Sequence, residues 1–279
     1  MNMKVKSKTT ISEVHILDRI VNQKRKEIEE RKALYPVALL EKSIYFRSPV
    51  VSLSHYIRRD DKAGIIAEFK RKSPSVPAIN PYASVEEVTI GYMQAGASAL
   101  SILTDTPFFG GSPNDLTTAR KYNFCPILRK DFIIDEYQII EARSIGADAI
   151  LLIAEILSAS ELKKLAEFAH SLDMEVLMEL HSSQMLDKLC DHVDIIGVNN
   201  RDLTAFKTDI QLSYRLVNEL PRELVKISES GIRTPEEVVE LNKAGYNGFL
   251  IGELFMRENQ PATVCKLFID KVHQLKQTL

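Results

Sequence analysis

The chain has 279 residues, with 36 Lys and Arg against 38 Asp and Glu, so its formal net charge is −2. This balance excludes a broad basic surface for nucleic acid or an anionic membrane, and an apolar share of 45% is ordinary for a globular protein. No apolar run approaches the roughly 20 residues of a membrane span, and the first ten residues lack the apolar stretch of a signal peptide, so a cytoplasmic location is expected.

The first predicted element is a charged helix within DRIVNQKRKEIEERKALYP, residues 18–36. Its apolar residues fall on one side of the helix, namely Leu17, Ile20, Val21 and Ile28. The helix could pack against the rest of the protein or cover an opening in it, and a solvated helix that docks by this narrow stripe is the favoured interpretation. Residues 1–60 are predicted to form a helical extension of a single domain spanning residues 1–279.

Eight strand candidates follow the extension, each rich in Ile, Val and Leu and bounded by turn residues. They begin near Ile65, Ala99, Pro126, Ala149, Met174, Asp194, Leu224 and Asn247. Between them, three capping-box pairs indicate helix starts: Ser84 with Glu87, Ser158 with Glu161, and Thr234 with Glu237. The sequence therefore alternates strand and helix throughout.

This alternation predicts the α/β class and, within it, a (βα)8 TIM barrel with an N-terminal helical extension. Eight parallel strands joined by helical crossovers can close into a barrel, and about 250 residues is the usual length of that fold. A doubly wound open sheet is the alternative. The absence of GxGxxG after the first strand and the count of eight strands both favour closure.

Three segments repeat one pattern: QAGASALSIL (94–103), SIGADAILLI (144–153) and KAGYNGFLIG (243–252). Each is typical of a helix end, a glycine that tolerates positive φ, a short turn and an apolar strand. Such repetition indicates serial helix-to-strand units.

Charged and polar residues stand at the C-terminal ends of several predicted strands. They are Glu68, Lys70, Lys130, Glu179, Asn199, Arg201 and Glu229. Removing such groups from water costs several kcal/mol each unless they are paired. Structural ion pairs remain the alternative for any one residue, but their convergence predicts an active site, because barrel active sites lie at this mouth.

The last two strands end in the glycine-containing turns ESGIR and LIGELF. Bare backbone N–H groups at such turns can approach an anion, and barrels often bind phosphate after strands seven and eight. The predicted phosphate site consists of Ser230, Gly231, Gly252 and Glu253, with Ser73 from the first loop.

The cysteines and histidines give no metal or disulfide prediction. Cys125, Cys190 and Cys265 are far apart and lack CxxC spacing, so neither a disulfide framework nor a cysteine zinc site is expected. His181, Cys190 and His192 could suggest a metal site, but HSSQMLDKLCDH has the periodicity of a helix with scattered polar faces. No metal is assigned.

Eight motifs, taken in order, resemble the indole-3-glycerol phosphate synthases of tryptophan biosynthesis: AEFKRKSPS, SALSILTDTPFFGGS, ILRKDFIIDEYQI, GADAILLIAEIL, LMEL, VNNRDL, ESGI and FLIGELFM. The resemblance runs from about position 12 to 257. That family is a (βα)8 barrel with an N-terminal helical extension. The resemblance implies a carboxy-lyase that converts 1-(2-carboxyphenylamino)-1-deoxyribulose 5-phosphate to indole-3-glycerol phosphate, CO2 and water, with this small molecule as its partner and with no cofactor.

The resemblance also implies roles for the residues at the strand ends. Lys130 would be the general acid that protonates the ketone, and Glu179 the general base. Lys70, tethered by Glu68, would hold the substrate and could protonate the departing hydroxyl. Which lysine serves which step stays open, as does the sign of the pKa shift of Lys130, because neighbouring cations and carboxylates act in opposite directions.

The other implied site residues bind or order the substrate. Asn199 and Arg201 would orient it, with Arg201 near its carboxylate, while Glu229 would order the site beside Ser230. An apolar wall for the aromatic ring is implied for Phe132, Leu151 and Leu250. Ordinary core packing is the alternative explanation for this wall.

Two positions depart from the family's pattern. After SPS the family often continues with Lys-Gly, whereas this chain has Val76, Pro77 and Ala78, a stiffer start to a loop expected to fold over substrate. Asn200 stands where Ser is common. A fused second barrel is not expected, and a monomer is, because no exposed apolar stripe is evident.

Two other functions compete with the synthase. The first is an aldolase acting on a phosphorylated sugar, with Lys130 or Lys70 as the Schiff-base nucleophile. The second is a noncatalytic barrel that binds a phosphorylated ligand or a partner enzyme. The presence of every acid and base that the synthase requires argues against the second.

Overall fold

The computed structural model describes residues 16–202 and 207–278, so residues 1–15 of the predicted extension lie outside the described residues. The barrel strands are β1 (Ile65–Phe69), β2 (Ala99–Leu103), β3 (Ile127–Lys130), β4 (Ala149–Ile153), β5 (Glu175–Leu180), β6 (Ile195–Asn199), β9 (Val225–Glu229) and β10 (Gly248–Ile251). A separate antiparallel pair, β7 (Arg201–Asp202) and β8 (Lys207–Thr208), follows β6. Each barrel strand begins within one residue of its predicted start.

The eight barrel strands are parallel and closed, in the order β1-β10-β9-β6-β5-β4-β3-β2. Closure is made by β1, which pairs with β2 on one side and with β10 on the other. In the β1–β10 register, Ile65 lies opposite Phe249 and Ala67 opposite Ile251. The prediction of a (βα)8 barrel is therefore confirmed, and the open-sheet alternative is wrong.

Helices connect these strands and form the extension. The helices are α1 (Ile16–Leu34), α2 (Val37–Leu40), α3 (Leu53–Ile57), α4 (Val85–Gln94), α5 (Pro113–Tyr122), α6 (Glu136–Ile145), α7 (Ala159–Ser171), α8 (Gln211–Leu216), α9 (Pro235–Ala244), α10 (Glu253–Met256) and α11 (Pro261–Gln277). None of the helices within the described ranges has the length and apolar character needed to cross a membrane.

The segment between β5 and β6 differs from its predicted helical pattern. Only a 3₁₀ helix, Ser183–Lys188, forms there. The crossover is short, and a 3₁₀ helix is the form that short connectors commonly take.

Helix starts largely follow the predicted caps. The capping boxes at Ser158 and Thr234 have both reciprocal hydrogen bonds. At Ser84 the hydroxyl accepts from Glu87 N, but the Ser84 backbone N–H does not donate to the Glu87 carboxylate in return. A further capping box, at Asp135, was not predicted.

The repeated glycines have the predicted backbone conformation. Gly96, Gly146 and Gly245 follow α4, α6 and α9 with φ of +97°, +97° and +121°. Side chains with a Cβ rarely adopt these angles, which explains why glycine recurs at this point of each unit.

Apolar residues fill the barrel interior and are distinct from those packed between strands and helices. The interior set includes Ile66, Ala99, Leu128, Leu151, Leu177, Ile195, Val225, Ile227 and Leu250. At the N-terminal end of the strands, α3 adds the buried Leu53 and Ile57 to this set. It is fixed there because Ser52 and Ser54 donate hydrogen bonds to Glu175 at the start of β5.

The extension helix α1 lies against the opposite end of the barrel. Ile20 is buried with the barrel-interior cluster, and Ile28 is buried with α2 and α6 residues. Lys24 is also buried and forms ion pairs with Asp105 and Asp131, which follow β2 and β3. Docking by an apolar stripe alone was therefore an incomplete interpretation, because a buried charge cluster also holds this helix.

Candidate active site

A cavity opens at the C-terminal ends of the barrel strands. Its lining contains twelve of the predicted site residues: Glu68, Lys70, Ser73, Lys130, Phe132, Leu151, Glu179, Asn199, Arg201, Glu229, Ser230 and Leu250. The other three predicted residues, Gly231, Gly252 and Glu253, lie beside the cavity and are not part of its lining. Each is next to a residue that lines it: Gly231 follows Ser230, Gly252 contacts the Glu68 side chain, and Glu253 contacts Arg201. The structure thus brings distant parts of the chain to one mouth.

The centre of the cavity is an ammonium group held between two carboxylates. Lys130 Nζ, at the end of β3, lies 2.6 Å from Glu179 Oε2 on β5 and 2.5 Å from Glu229 Oε2 on β9. The two glutamates are nearly fully buried. All three residues come from alternate strands, which share an inward layer of a barrel.

These carboxylates determine the protonation of Lys130. Burial alone would lower its pKa, but the charges of Glu179 and Glu229 outweigh burial and raise the pKa well above its ordinary value. The sign that stayed open from the sequence is thus upward, and Lys130 is an ammonium over the physiological pH range.

The two glutamates differ although both are buried and share one lysine. Burial opposes ionisation of Glu179, yet Lys130 and a hydrogen bond from Asn199 Nδ2 to Oε1 (3.0 Å) lower its pKa to about 2. Burial outweighs Lys130 at Glu229, whose pKa rises to about 7 with the added repulsion of Glu179. Glu229 Oε1 has no hydrogen-bond partner among the described residues. The ionised form of Glu229 therefore lacks the kind of hydrogen bond that Asn199 gives to Glu179.

A second lysine enters the cavity from β1. Lys70 Nζ lies 2.7 Å from Glu68 Oε1, and Ser101 Oγ donates to the other carboxylate oxygen at 3.3 Å. The Glu68 side chain passes close to Gly252, where a Cβ would lie 2.7 Å from Glu68 Oε1. A side chain at position 252 would therefore displace Glu68 from its present position.

Arg201 links three parts of the mouth. Its backbone N–H donates to Asn199 Oδ1 at 3.0 Å, and its guanidinium lies 3.0 Å from Glu253 Oε2 after β10. It also donates to Ser75 Oγ in the first loop at 3.1 Å. Sequence reasoning missed Ser75, although Ser73, two residues earlier in the same SPS motif, was predicted.

The predicted apolar wall is present and larger than predicted. Phe132, Leu151 and Leu250 line the cavity and are almost completely buried. Phe109 joins them, with its ring centroid 5.9 Å from that of Phe132. The FFGG run after the second strand was the available signal, since two aromatic residues before glycines in a strand-end loop can face a ligand.

The predicted phosphate site has backbone of an unusual kind. Ser230 and Gly231 are consecutive left-handed residues, with φ of +66° and +81°. Successive N–H groups in such turns can form an anion-binding concavity. The Ser73 hydroxyl is buried and accepts from Val76 N at 3.1 Å, so within this structure it caps its own turn.

The residues weighed as a metal site do not form one in the described part of the chain, where no group of three or more His, Cys, Asp or Glu side chains is placed to hold a metal ion. His181 contacts Glu155, with Nδ1 3.1 Å from Oε1. His192 instead packs edge-on against His170.

Comparisons with known proteins point to one family. The sequence profile of the indole-3-glycerol phosphate synthase family matches residues 17–267. The indole-3-glycerol phosphate synthase of Bacteroides thetaiotaomicron is 47% identical over 257 residues, which cover 92% of this chain and 98% of that protein. The enzyme of the same name from Acidithiobacillus ferrooxidans is 42% identical over 260 residues, covering 91% of this chain and 99% of its own length.

Solved structures share the architecture at low identity. A mutant tryptophan synthase alpha-subunit from Pyrococcus furiosus has a TM-score of 0.56 and 15% identity, covering 77% of this chain and 99% of its own. A native KDPGal structure has a TM-score of 0.55 and 15% identity, covering 77% and 96%. These two likenesses show the fold alone.

Proposed function

The chain belongs to the indole-3-glycerol phosphate synthase family, and we propose how the side chains at its barrel mouth divide the reaction of that family between them. The reaction, a carboxy-lyase step of tryptophan biosynthesis, converts 1-(2-carboxyphenylamino)-1-deoxyribulose 5-phosphate to indole-3-glycerol phosphate, CO2 and water. The observation that carries the proposed division is the contact of Lys130 with Glu179 and Glu229 inside the cavity.

The substrate supplies its own electrons for the reaction. Its aniline nitrogen pushes electrons to the ring carbon that bears the carboxylate, that carbon attacks the ketone, and loss of CO2 restores aromaticity. The ketone oxygen receives two protons, one as the ring closes and one as it leaves as water, while the carbon next to nitrogen loses one. The site therefore needs two proton donors, one base and a means of ordering a flexible chain.

Lys130 suits the first proton donation. Burial lowers the pKa of Lys130, but the two neighbouring carboxylates raise it by more than burial lowers it. The lysine therefore carries a proton when substrate arrives. An ammonium at this position also stabilises the negative charge that develops on the ketone oxygen. The same charge disfavours the aldolase alternative, because a Schiff base forms from the free amine.

Glu179 suits the base that acts later. Burial opposes its ionisation, but Lys130 and Asn199 hold it ionised with a pKa of about 2, which makes it a weak base in the resting site. Once Lys130 has given up its proton, that cation is gone and the pKa of Glu179 rises. The first proton transfer thus prepares the base for the second step.

Lys70 suits the second proton donation, to the departing hydroxyl. Glu68 on β1 holds the Lys70 ammonium at a distance of 2.7 Å, whereas Lys130 is the last residue of β3. The two lysines therefore reach the cavity from separate directions. We assign Lys130 to the first step because it is the lysine in contact with the base.

Arg201 and the apolar wall are proposed to hold the anthranilate end. The guanidinium lines the cavity while Ser75 and Glu253 fix its direction, which fits binding of the substrate carboxylate. Phe109 and Phe132 offer aromatic surface to the ring beside the proposed acid.

The substrate phosphate is proposed to bind at the ends of β9 and β10, at the set Ser73, Ser230, Gly231, Gly252 and Glu253. The left-handed turn at Ser230 and Gly231 supports this position. Glu253 would contribute its backbone N–H, because its carboxylate faces Arg201 and Arg257.

Three wider expectations remain proposals: one domain, a cytoplasmic location and a monomer without nucleic-acid partners. The monomer is expected because the sequence contains no evident exposed apolar stripe. Five large apolar side chains are nevertheless exposed on the extension, at Leu34, Tyr35, Val37, Leu39 and Ile44. Sedimentation analysis at micromolar concentration tests the monomer directly, and a dimer would overturn it.

The division of roles is tested with Lys130→Met and Lys70→Met, assayed by the indole fluorescence of the product. We expect Lys130→Met to lower kcat at least 1,000-fold, on the order of a lost acid together with a lost electrostatic contact. Lys70→Met should instead let a ring-closed, decarboxylated and still hydroxylated intermediate accumulate in single turnovers. Near-normal turnover by Lys130→Met would overturn its assignment.

A further inference from the structure

A lysine of the extension helix lies buried beside the active site. Lys24 is 4% exposed, and its Nζ lies 2.8 Å from Asp105 Oδ2, 3.0 Å from Asp131 Oδ1 and 2.8 Å from Glu27 Oε2. Asp105 and Asp131 are almost completely buried as well. A buried charge of this kind persists only when paired, so each member of the cluster depends on the others.

Asp105 organises the loop that carries part of the ring wall. Its Oδ1 accepts hydrogen bonds from the backbone N–H groups of Phe108 (2.8 Å) and Phe109 (3.0 Å). Its Oδ2 has no donor in regular hydrogen-bond geometry among the described residues, so the ion pair with Lys24 is its compensation there. Phe109 then lines the cavity against Phe132.

Asp131 organises the strand end that carries the proposed acid. It follows Lys130 directly, and its Oδ1 accepts from the Phe132 N–H at 2.8 Å. Its Oδ2 accepts from Thr104 Oγ1 at 2.5 Å and Arg129 Nη2 at 3.1 Å. Because residues alternate along a strand, Arg129 points away from the barrel interior while Lys130 points inward, and Asp131 borders the cavity where β3 has ended.

Arg129 extends the cluster back to the extension. Its guanidinium contacts Glu141 Oε2 at 2.6 Å, and Glu141 is also paired with Arg31 of α1. The helix is therefore tied through Lys24 and Arg31, nearly two helical turns apart, to the residues on either side of Lys130.

We infer that Lys24 is a positioning residue for the synthase reaction, holding the Phe109 loop and the Lys130 strand end in their catalytic arrangement through Asp105 and Asp131. This inference rests on the proposed roles of Lys130 and the ring wall. It makes the extension helix part of the active site although no residue of that helix lines the cavity. A displacement of about 1 Å in such a group can cost up to about 100-fold in rate.

Lys24→Met tests the inference, with Lys26→Met, an exposed residue of the same helix, as the matched control. Steady-state kcat and KM are measured at a temperature where circular dichroism shows each variant fully folded. We expect Lys24→Met to raise KM about tenfold and to lower kcat about tenfold, because both ring wall and acid shift. Lys26→Met should match the unmodified chain.

A purely structural lysine would lower the unfolding temperature and leave these constants unchanged. Values of kcat and KM within twofold of the unmodified chain in folded Lys24→Met would therefore overturn the inference. If Lys24→Met does not fold, Lys24→Gln, which keeps a hydrogen-bond donor for one aspartate, serves in its place with the same expected direction.

A double-variant cycle with Phe109→Ala tests the route. If Lys24 acts on KM through Phe109, the KM of the double variant should be close to that of Phe109→Ala alone. Multiplicative effects on KM would overturn this route. Failure of the unmodified chain to turn over substrate would instead count against the proposed function, so the two failures are distinguishable.

Discussion

Glu179 and Glu229 illustrate how position alone separates two identical side chains. Both contact Lys130, but Glu179 also receives a hydrogen bond from Asn199, whereas Glu229 Oε1 has no such donor among the described residues. Gly197 lies against that oxygen, and a Cβ there would be 2.3 Å from it. One carboxylate is therefore prepared to stay ionised and the other to hold or release a proton near neutrality.

The raised pKa of Glu229 predicts a pH dependence of stability. With a folded-state pKa of about 7 against an ordinary 4.5, the folded protein holds this proton more tightly than the unfolded chain. The stabilisation of the folded state by this proton is complete below about pH 4.5 and is lost as the pH rises through 7. Glu229→Gln removes this titration. The fall in the free energy of unfolding between pH 5 and 8 should therefore become smaller, by about 3 kcal/mol at most.

Unfolding temperatures of the unmodified chain and Glu229→Gln, measured at intervals from pH 5 to 8, check this expectation. Glu258→Gln, an exposed site, is the control and should leave the pH profile unchanged. Parallel profiles for Glu229→Gln and the unmodified chain would show that Glu229 titrates normally.

Helix caps show what is decided at the scale of one element. At Thr234 the reciprocal bond forms because Glu237 Oε2 accepts from the N–H groups of Arg233 and Thr234. The pair at Ser84 likewise combines a hydroxyl residue with a glutamate three positions later, yet the Glu87 side chain makes no such bond. The motif predicts where a helix begins, while the local path of the chain decides whether both bonds form.

This difference predicts unequal effects of two similar substitutions. Glu237→Ala should lower the free energy of unfolding by about 1 kcal/mol, since two backbone N–H groups lose an acceptor. Glu87→Ala should change it by only a few tenths of a kcal/mol. Urea unfolding of both variants measures the difference, and equal losses would contradict the role assigned to the second bond.

The molecule is a barrel with a different helix of the extension packed at each end. At the N-terminal end of the strands, α3 inserts Leu53 and Ile57 into the interior cluster. At the catalytic end, α1 is held by the Lys24 cluster. Stability and catalysis are thus assigned to opposite ends of one structure, as is common in this fold.

Leu53→Ala tests this separation. Leu53 is completely buried, so its truncation should cost about 3 kcal/mol of unfolding free energy through lost burial and a cavity. The kcat of the folded variant should stay within twofold, because the substitution lies far from the mouth. Leu39→Ala, at a position 53% exposed on the same extension, should cost less than about 0.5 kcal/mol.

Guanidinium unfolding and steady-state kinetics of these two variants supply the measurements. A loss for Leu53→Ala as small as that for Leu39→Ala would mean that α3 does not seal the barrel. A large fall in kcat for Leu53→Ala would mean instead that the two ends are coupled.

Local sequence patterns were sufficient to predict the strands, turns and helix starts, because these depend on residues a few positions apart. The starts near Ile65 and Ala149, the glycine at 146 and the cap at Ser158 are all signals of this short range. The strand-end charges followed from the same patterns, since a barrel places the ends of parallel strands at one mouth.

Which of these residues meet depends on the folding of the whole chain. The contacts of Lys130 with Glu229 and of Lys24 with Asp131 each join positions about 100 residues apart, and no local pattern encodes such a pairing. The pKa of Lys130 could not be given a sign until its partners were known. Barrel closure sets these distances, and electrostatic energy depends on distance and burial, so the chemistry of the site belongs to the folded molecule.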